Sequence, residues 1–168
     1  QELMIDVHLH RVVLDLLKCP FYPSHMHVGP PMVKITQVNQ PEHRALHNMC
    51  VTAYRFLKAL VTGSDTFALK LQSAIPFFMD HLGFRFHVSD LLSDMFSGNA
   101  VLMEYVDEEM VSQWIMNAQV QNNQLRYSKF LARILETCGQ SVIRIQNVVA
   151  EKIFTTGLNL LTPMQINP

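Results

Sequence analysis

The sequence has little of what a disulfide-stapled, membrane-spanning or catalytic chain depends on. Its three cysteines, Cys19, Cys50 and Cys138, stand far apart and never in CxxC spacing. That excludes a disulfide framework and points to reduced thiols in a cytosolic setting. Charge of one sign is also missing. Thirteen Lys and Arg face fourteen Asp and Glu, for a net charge of −1, so there is no global basic field of the kind a dedicated nucleic-acid binder needs. No apolar run reaches about 18 residues, so nothing in the chain is expected to span a bilayer. The opening QELMIDVHLHR carries early charge and no cleavage-site pattern, so these residues are not expected to be a signal peptide. GxSxG, HExxH, the Walker lysine and the Rossmann glycine fingerprint are all absent. The adjacent carboxylates Glu108 and Glu109 would point apart on a helix. No catalytic constellation results, so neither an enzyme nor a bound cofactor is expected.

What the chain does have is apolar mass. Of its 168 residues, 49% are hydrophobic, enough for a sizeable core and against general disorder. That length suits one domain, or a helical array cut from something longer. The chain begins at Gln1 without a methionine and is expected to be a segment of a larger protein. Residues 1–157 are expected to form one helical domain containing a Pro-rich loop at 19–40, followed by a frayed tail at 158–168.

The stretch Gln124–Phe154 organises the rest. Tyr127, Leu131, Ile134, Leu135 and Cys138 fall on one helical stripe, which would leave Cys138 buried and inert. Gly139 sits where a left-handed residue ends a helix, and Ser141 can cap the next. Val142, Ile145, Val148, Val149 and Ile153, with Phe154, then form a second stripe. Two short helices with wide apolar faces cannot bury them alone. They need similar pairs on either side, which predicts an all-α fold of the solenoid type, built from antiparallel helix pairs.

The remaining chain supplies such neighbours. Glu2–Lys18 reads as a helix with Ile5, Leu9, Val12, Val13, Leu16 and Leu17 on one face, stopped by Pro20. Cys19–Gln40 is proline-dense and long for an ordered connection. Pro41 suits the first position of a second helix, which buries Leu46, Met49, Ala53, Phe56, Leu57 and Leu60 and ends at Gly63. Ser64 or Asp65 caps Thr66–Leu82, whose apolar positions are Leu71, Ile75, Phe78 and Leu82; Pro76 predicts a kink or two short helices. Gly83–Val88 alternates like a strand but has no partner strand, so it reads as a connector. Ser89 caps a helix with Leu91, Leu92, Met95 and Phe96. Asn99 opens a single turn through Tyr105. Asp107 caps Glu108–Val120, which buries Met110, Val111, Trp114 and Ala118.

Two clusters are candidate sites. His43 and His47 have the i, i+4 spacing that can hold zinc, and His25 and His27 can add ligands from the loop. Without a third convergent ligand fixed by spacing, surface histidines are the preferred reading and no metal is assigned. His8 and His10 face different directions on their helix and receive no role. Arg126, Lys129 and Arg133 line up at i, i+3 and i+7 opposite the apolar stripe. That ridge suits an acidic partner segment or a phosphate-bearing ligand, with a solvated helix face as the default alternative.

The segments DVHLHRVVLDLLKCPF, YRFLKALVTGSDTFALKLQ and NNQLRYSKFLARILETCGQSVIRIQNVVAEKIF together resemble the RIH domain of inositol trisphosphate and ryanodine receptors, the tetrameric intracellular calcium-release channels. The most specific part is Leu125–Ile153, where Arg126-Tyr127 and Phe130-Leu131 lead into a glycine turn and Gln146-Asn147 precedes Val148-Val149. This resemblance implies an armadillo-like α-solenoid that relays ligand-induced motion. It implies as partners the other domains of the same subunit and neighbouring subunits of a homotetramer, at the cytosolic face of the endoplasmic or sarcoplasmic reticulum. The family's ligand-binding copy carries basic residues before its first helix and a Tyr-Arg-Lys run between the second and third. Here those regions read Gln1-Glu2-Leu3-Met4 and Gly63-Ser64-Asp65-Thr66-Phe67, so the ligand residues do not carry over. The resemblance therefore implies a structural copy, with an inositol-phosphate-binding domain or an unrelated helical scaffold as alternatives. Ile134→Asp places a charge on the predicted stripe and is expected to cost several kcal/mol in a thermal melt; a wild-type melt would show that the register is wrong.

Overall fold

A computed structural model describes residues 8–23, 30–120, 131–132, 135 and 140–155. Every regular element among them is helical. Eight α-helices follow in order: α1 (Leu9–Lys18), α2 (Arg44–Val61), α3 (Asp65–Lys70), α4 (Ile75–Asp80), α5 (Val88–Phe96), α6 (Ala100–Glu104), α7 (Glu108–Val120) and α8 (Gln140–Thr155). The chain divides into two compact units, with the boundary between Met95 and Phe96.

In the first unit, α2 packs against both α1 and α3. A 3-10 turn, Pro41–His43, leads into it with Pro41 at its start, where a missing N–H leaves nothing unsatisfied. The buried face of α2 is Cys50, Ala53, Tyr54, Leu57, Leu60 and Val61. Compared with the expected stripe it is rotated, leaving Leu46, Met49 and Phe56 only half-buried. The cause is Tyr54, a polar residue that finds a buried partner and turns its side of the helix inward. A similar correction applies to α1. Leu17 is fully buried and His10 is buried too, whereas Val12 and Leu16 are 61% and 46% exposed. The His10 ring meets Phe67 edge-on, with centroids 5.6 Å apart, and takes the place an aliphatic residue was expected to fill. The part of the expected first helix before His8 lies outside the described residues.

Gly63 ends the turn after α2 at φ 75 with open space where a Cβ would stand, so its left-handed backbone is the reason for glycine there. Ser64 caps α3, its Oγ accepting the Phe67 N–H at 3.3 Å. The expected break in Thr66–Leu82 is present and falls at Leu71, ahead of Pro76. A 3-10 turn, Gln72–Ala74, intervenes, and Pro76 sits in the first turn of α4. All four predicted apolar positions here, Leu71, Ile75, Phe78 and Leu82, are buried. Gly83–Val88 connects as expected, through a 3-10 turn at Leu82–Phe84. Ser89 does not cap α5. That helix starts at Val88, and the His87 carbonyl accepts the N–H groups of Asp90 and Leu91 from a left-handed residue at φ 66. The described parts of the 19–40 loop are docked: the Val33 N–H donates to Pro20 O, and Phe21 and Val38 are buried.

The second unit is built on α7, which packs against α8, with α6 also against α8. Asn99 Oδ1 caps α6 through the Leu102 N–H at 3.0 Å, and Asp107 Oδ1 caps α7 through Met110 N–H at 2.7 Å. Val111, Trp114, Ile115 and Ala118 are buried on α7, while Met110 is half-buried. Phe96 lies T-shaped on Trp114, 6.1 Å between centroids. On α8, Ile145 and Val149 are buried, Val148 and Ile153 half-buried, and Phe154 is 66% exposed, so the stripe ends before Phe154. Since α8 begins at Gln140, Ser141 lies within its first turn. Of the preceding stripe, Leu131 is buried and Leu135 half-buried; Tyr127, Ile134, Cys138 and the Gly139 corner lie outside the described residues. The Arg144 guanidinium donates to the Val106 carbonyl at 2.8 Å, tying α8 to the turn before α7. Asn99→Ala removes a cap at a buried position and is expected to cost about 1 kcal/mol in urea denaturation; an unchanged midpoint would show that the cap is dispensable.

Candidate functional site

The site begins with a histidine on an apolar stripe. His81 follows Phe77 and Phe78 at i+4 and i+3, so the side of α4 that buries them carries the imidazole inward with them. It is fully buried. Its ring touches Phe77 at 4.2 Å, Phe21 at 5.5 Å and Phe86 at 5.6 Å between centroids. Burial alone pushes His81 down to about 3, so the ring is neutral. The Tyr54 hydroxyl lies 2.8 Å from Nδ1 and donates to it when Nδ1 is the unprotonated nitrogen. Burial also holds the Tyr54 phenol well above its ordinary range, which keeps it a donor. Among the described residues, His81 Nε2 has no partner. Tyr22 lies over the same ring, and its hydroxyl reaches Asp80 Oδ2 at 3.5 Å.

This box fixes what the surface presents. Phe86 stacks on Tyr54, 6.0 Å apart and 11° from parallel, and is fully buried. Its neighbours Arg85 and His87 are both left-handed, at φ 60 and 66, and both exposed. With Phe86 anchored inward, Arg85 lies on a surface recess of about 520 Å³ shared with Arg44, His47, Asn48, Asn39 and Gln40. His47 is half-buried, its ring 5.4 Å from Phe86. The recess thus offers two guanidinium groups with amide side chains beside them, chemistry that suits a carboxylate or a phosphate. Asn48 also borders a second, apolar concavity between α1 and α2, with Leu9, Val13, Leu16, Met49 and Phe56 on its walls.

The predicted candidates fare differently. Arg126, Lys129 and Arg133 lie outside the described residues, as do His25 and His27. His43 and His47 bracket the start of α2, but among the described residues no group of three or more His, Cys, Asp or Glu is placed to hold a metal. His10, given no role, is a packing residue. Cys50 is buried and its thiol is pushed up to about 11, chiefly by that burial, whereas Cys19 is exposed. Sequence reasoning missed His81, Arg44 and Arg85. A histidine in phase with Phe77 and Phe78 was a usable signal for the first. Arg44 and Arg85 are brought together only by the fold.

A family model described as the RIH domain matches residues 1–166, nearly the whole chain. The chain belongs to the RIH-domain family. No curated protein and no solved structure matches it. The family is that of inositol trisphosphate and ryanodine receptors, large channel proteins. Among the described residues of this RIH domain, no helix is long and apolar enough to cross a membrane.

The buried imidazole gives the RIH domain a pH dependence of definite sign. In the unfolded chain His81 takes up a proton near 6.5, but the native ring resists until about 3. Below 6.5 the unfolded state therefore binds more protons, and stability falls as pH falls. His10, lowered first by burial, acts in the same direction. Between about pH 7.5 and about pH 5, wild type is expected to lose about 2 kcal/mol more than His81→Gln in urea denaturation. Parallel losses in the two proteins would show that His81 is not the group responsible.

Proposed function

We propose that the chain is a non-catalytic, cytosolic segment of an intracellular ligand-gated calcium-release channel of the inositol trisphosphate or ryanodine receptor type. The observation that carries this reading is the RIH-domain match over nearly the whole chain. In this proposal the helices are part of an armadillo-like α-solenoid at the cytosolic face of the endoplasmic or sarcoplasmic reticulum. Its partners are other domains of the same subunit and neighbouring subunits of a homotetramer. Its work is mechanical. Helices packed through close side-chain cores respond to a displaced neighbour by switching between discrete arrangements, which is how conformational change passes from one domain to another. The ridge of Arg126, Lys129 and Arg133 belongs to this proposal as a contact surface.

One observation favours a second reading, an inositol-phosphate-binding domain: the approach of Arg44 and Arg85 at one recess. Against it stand the uncharged or acidic residues at Gln1–Met4 and Gly63–Phe67, where the ligand-binding copy of the family is basic. Calorimetric titration of the chain with inositol trisphosphate separates the two. No saturable heat is expected; a saturable isotherm in the micromolar range would hand the chain to the second reading.

A further inference from the structure

The longest described helix, α2, has no acidic residue: Arg44–Val61 reads RALHNMCVTAYRFLKALV. With α1, LHRVVLDLLK, it carries five Lys and Arg against the single Asp15, in a chain whose net charge is −1. Arg44 and Arg55 lie at i and i+11 on one flank of α2, about 16 Å apart along the axis, with Asn48 between them. Both are exposed, and neither pairs with an acid among the described residues. Next to that flank runs the apolar concavity between α1 and α2, about 710 Å³, with Leu9, Val13, Leu16, Met49 and Phe56 on its walls. Val12 and Leu16, both exposed, continue the apolar surface along α1. At Asn48 the concavity adjoins the Arg44–Arg85 recess.

We infer that this surface is a docking groove for an acidic amphipathic helix. A groove between two helices takes a third by its apolar stripe, read at i, i+3, i+4 and i+7. The unpaired arginines along one rim select the occupant's charge, favouring Asp or Glu on the flank over α2 and a further carboxylate at the Arg44–Arg85 end. A neutral or basic helix would bury the same apolar area while leaving those guanidinium groups unpaired or repelled. The charge complementarity therefore singles out an acidic partner. This inference rests on the reading of the chain as a contact-making module and names the chemistry of one contact.

The test uses a synthetic amphipathic peptide as long as α2, with leucines on one face and glutamates on the flanks, and a counterpart with lysines in place of the glutamates. In fluorescence anisotropy the glutamate peptide is expected to bind at least about tenfold more tightly. Arg44→Glu combined with Arg55→Glu is expected to reverse that preference, Arg44→Lys combined with Arg55→Lys to keep it, and Leu16→Glu to weaken both peptides. All three sites are exposed, so circular dichroism melts should stay at the wild-type temperature. Equal binding of the two peptides, or a preference that survives the charge reversal, overturns the inference. So does sedimentation showing that the groove is filled by a second copy of the chain, with Leu16→Glu restoring the monomer. Those outcomes leave the channel-segment reading standing, which only the inositol trisphosphate titration overturns.

Discussion

One short polar contact in an apolar setting governs the first unit: the Tyr54 hydroxyl against His81 Nδ1 at 2.8 Å. Neither group is tolerable alone where it sits. A buried phenol without a partner and a buried imidazole without one each carry a desolvation cost of about 1–3 kcal/mol. Meeting each other, they let α2 and α4 turn those faces inward, and the aromatic rings of Phe21, Phe77 and Phe86 then close around the pair. Outside the box, Lys18 lies over the Phe77 ring at 5.5 Å, so the end of α1 is drawn to the same cluster. The remaining Nε2 is left without a partner among the described residues, which marks the geometry as a compromise held by packing.

The described residues of the second unit show no such pair. Its buried residues include Trp114, Val111, Ile115 and Ala118 on α7 and Ile145 and Val149 on α8. Its side-chain hydrogen bonds to backbone include the caps Asn99 and Asp107, Arg144 on the Val106 carbonyl and Gln146 on the Leu135 carbonyl. Short helices leave many backbone groups unpaired for their length, and these side chains satisfy several of them. Specificity in this unit resides in its caps, whereas in the first unit it resides in its centre.

That contrast explains what could be read from the sequence. Caps are local: an oxygen-bearing side chain three residues before the N–H it accepts is written in consecutive letters, and Ser64, Asn99 and Asp107 were legible for that reason. So were Leu71, Ile75, Phe78 and Leu82 around α4, the stripe of α5, and Val111, Trp114 and Ala118 on α7, apolar residues that match the helical period and are buried. The stripes of α1 and α2 were turned because His10 and Tyr54 count as polar in any periodicity, while tertiary partners bury both. The false cap at Ser89 has a related cause. His87 adopts a left-handed backbone that its residue type does not announce, and it takes over the capping role with its carbonyl. The recess was illegible since Arg44 and Arg85 belong to different elements, and only the anchoring of Phe86 brings them to one place. The all-helical class and the family resemblance needed none of these details, because both rest on the long periodic segments.

The two left-handed residues around Phe86 have a consequence for recognition. Flexible arginines on loops usually lose conformational freedom when they engage a ligand, and that loss is subtracted from affinity. Arg85 is joined to a side chain locked among five rings, so much of its backbone freedom is spent when the domain folds, before any partner arrives. The exposed side chain keeps its own rotamers, but the point from which it reaches is set before any anion arrives.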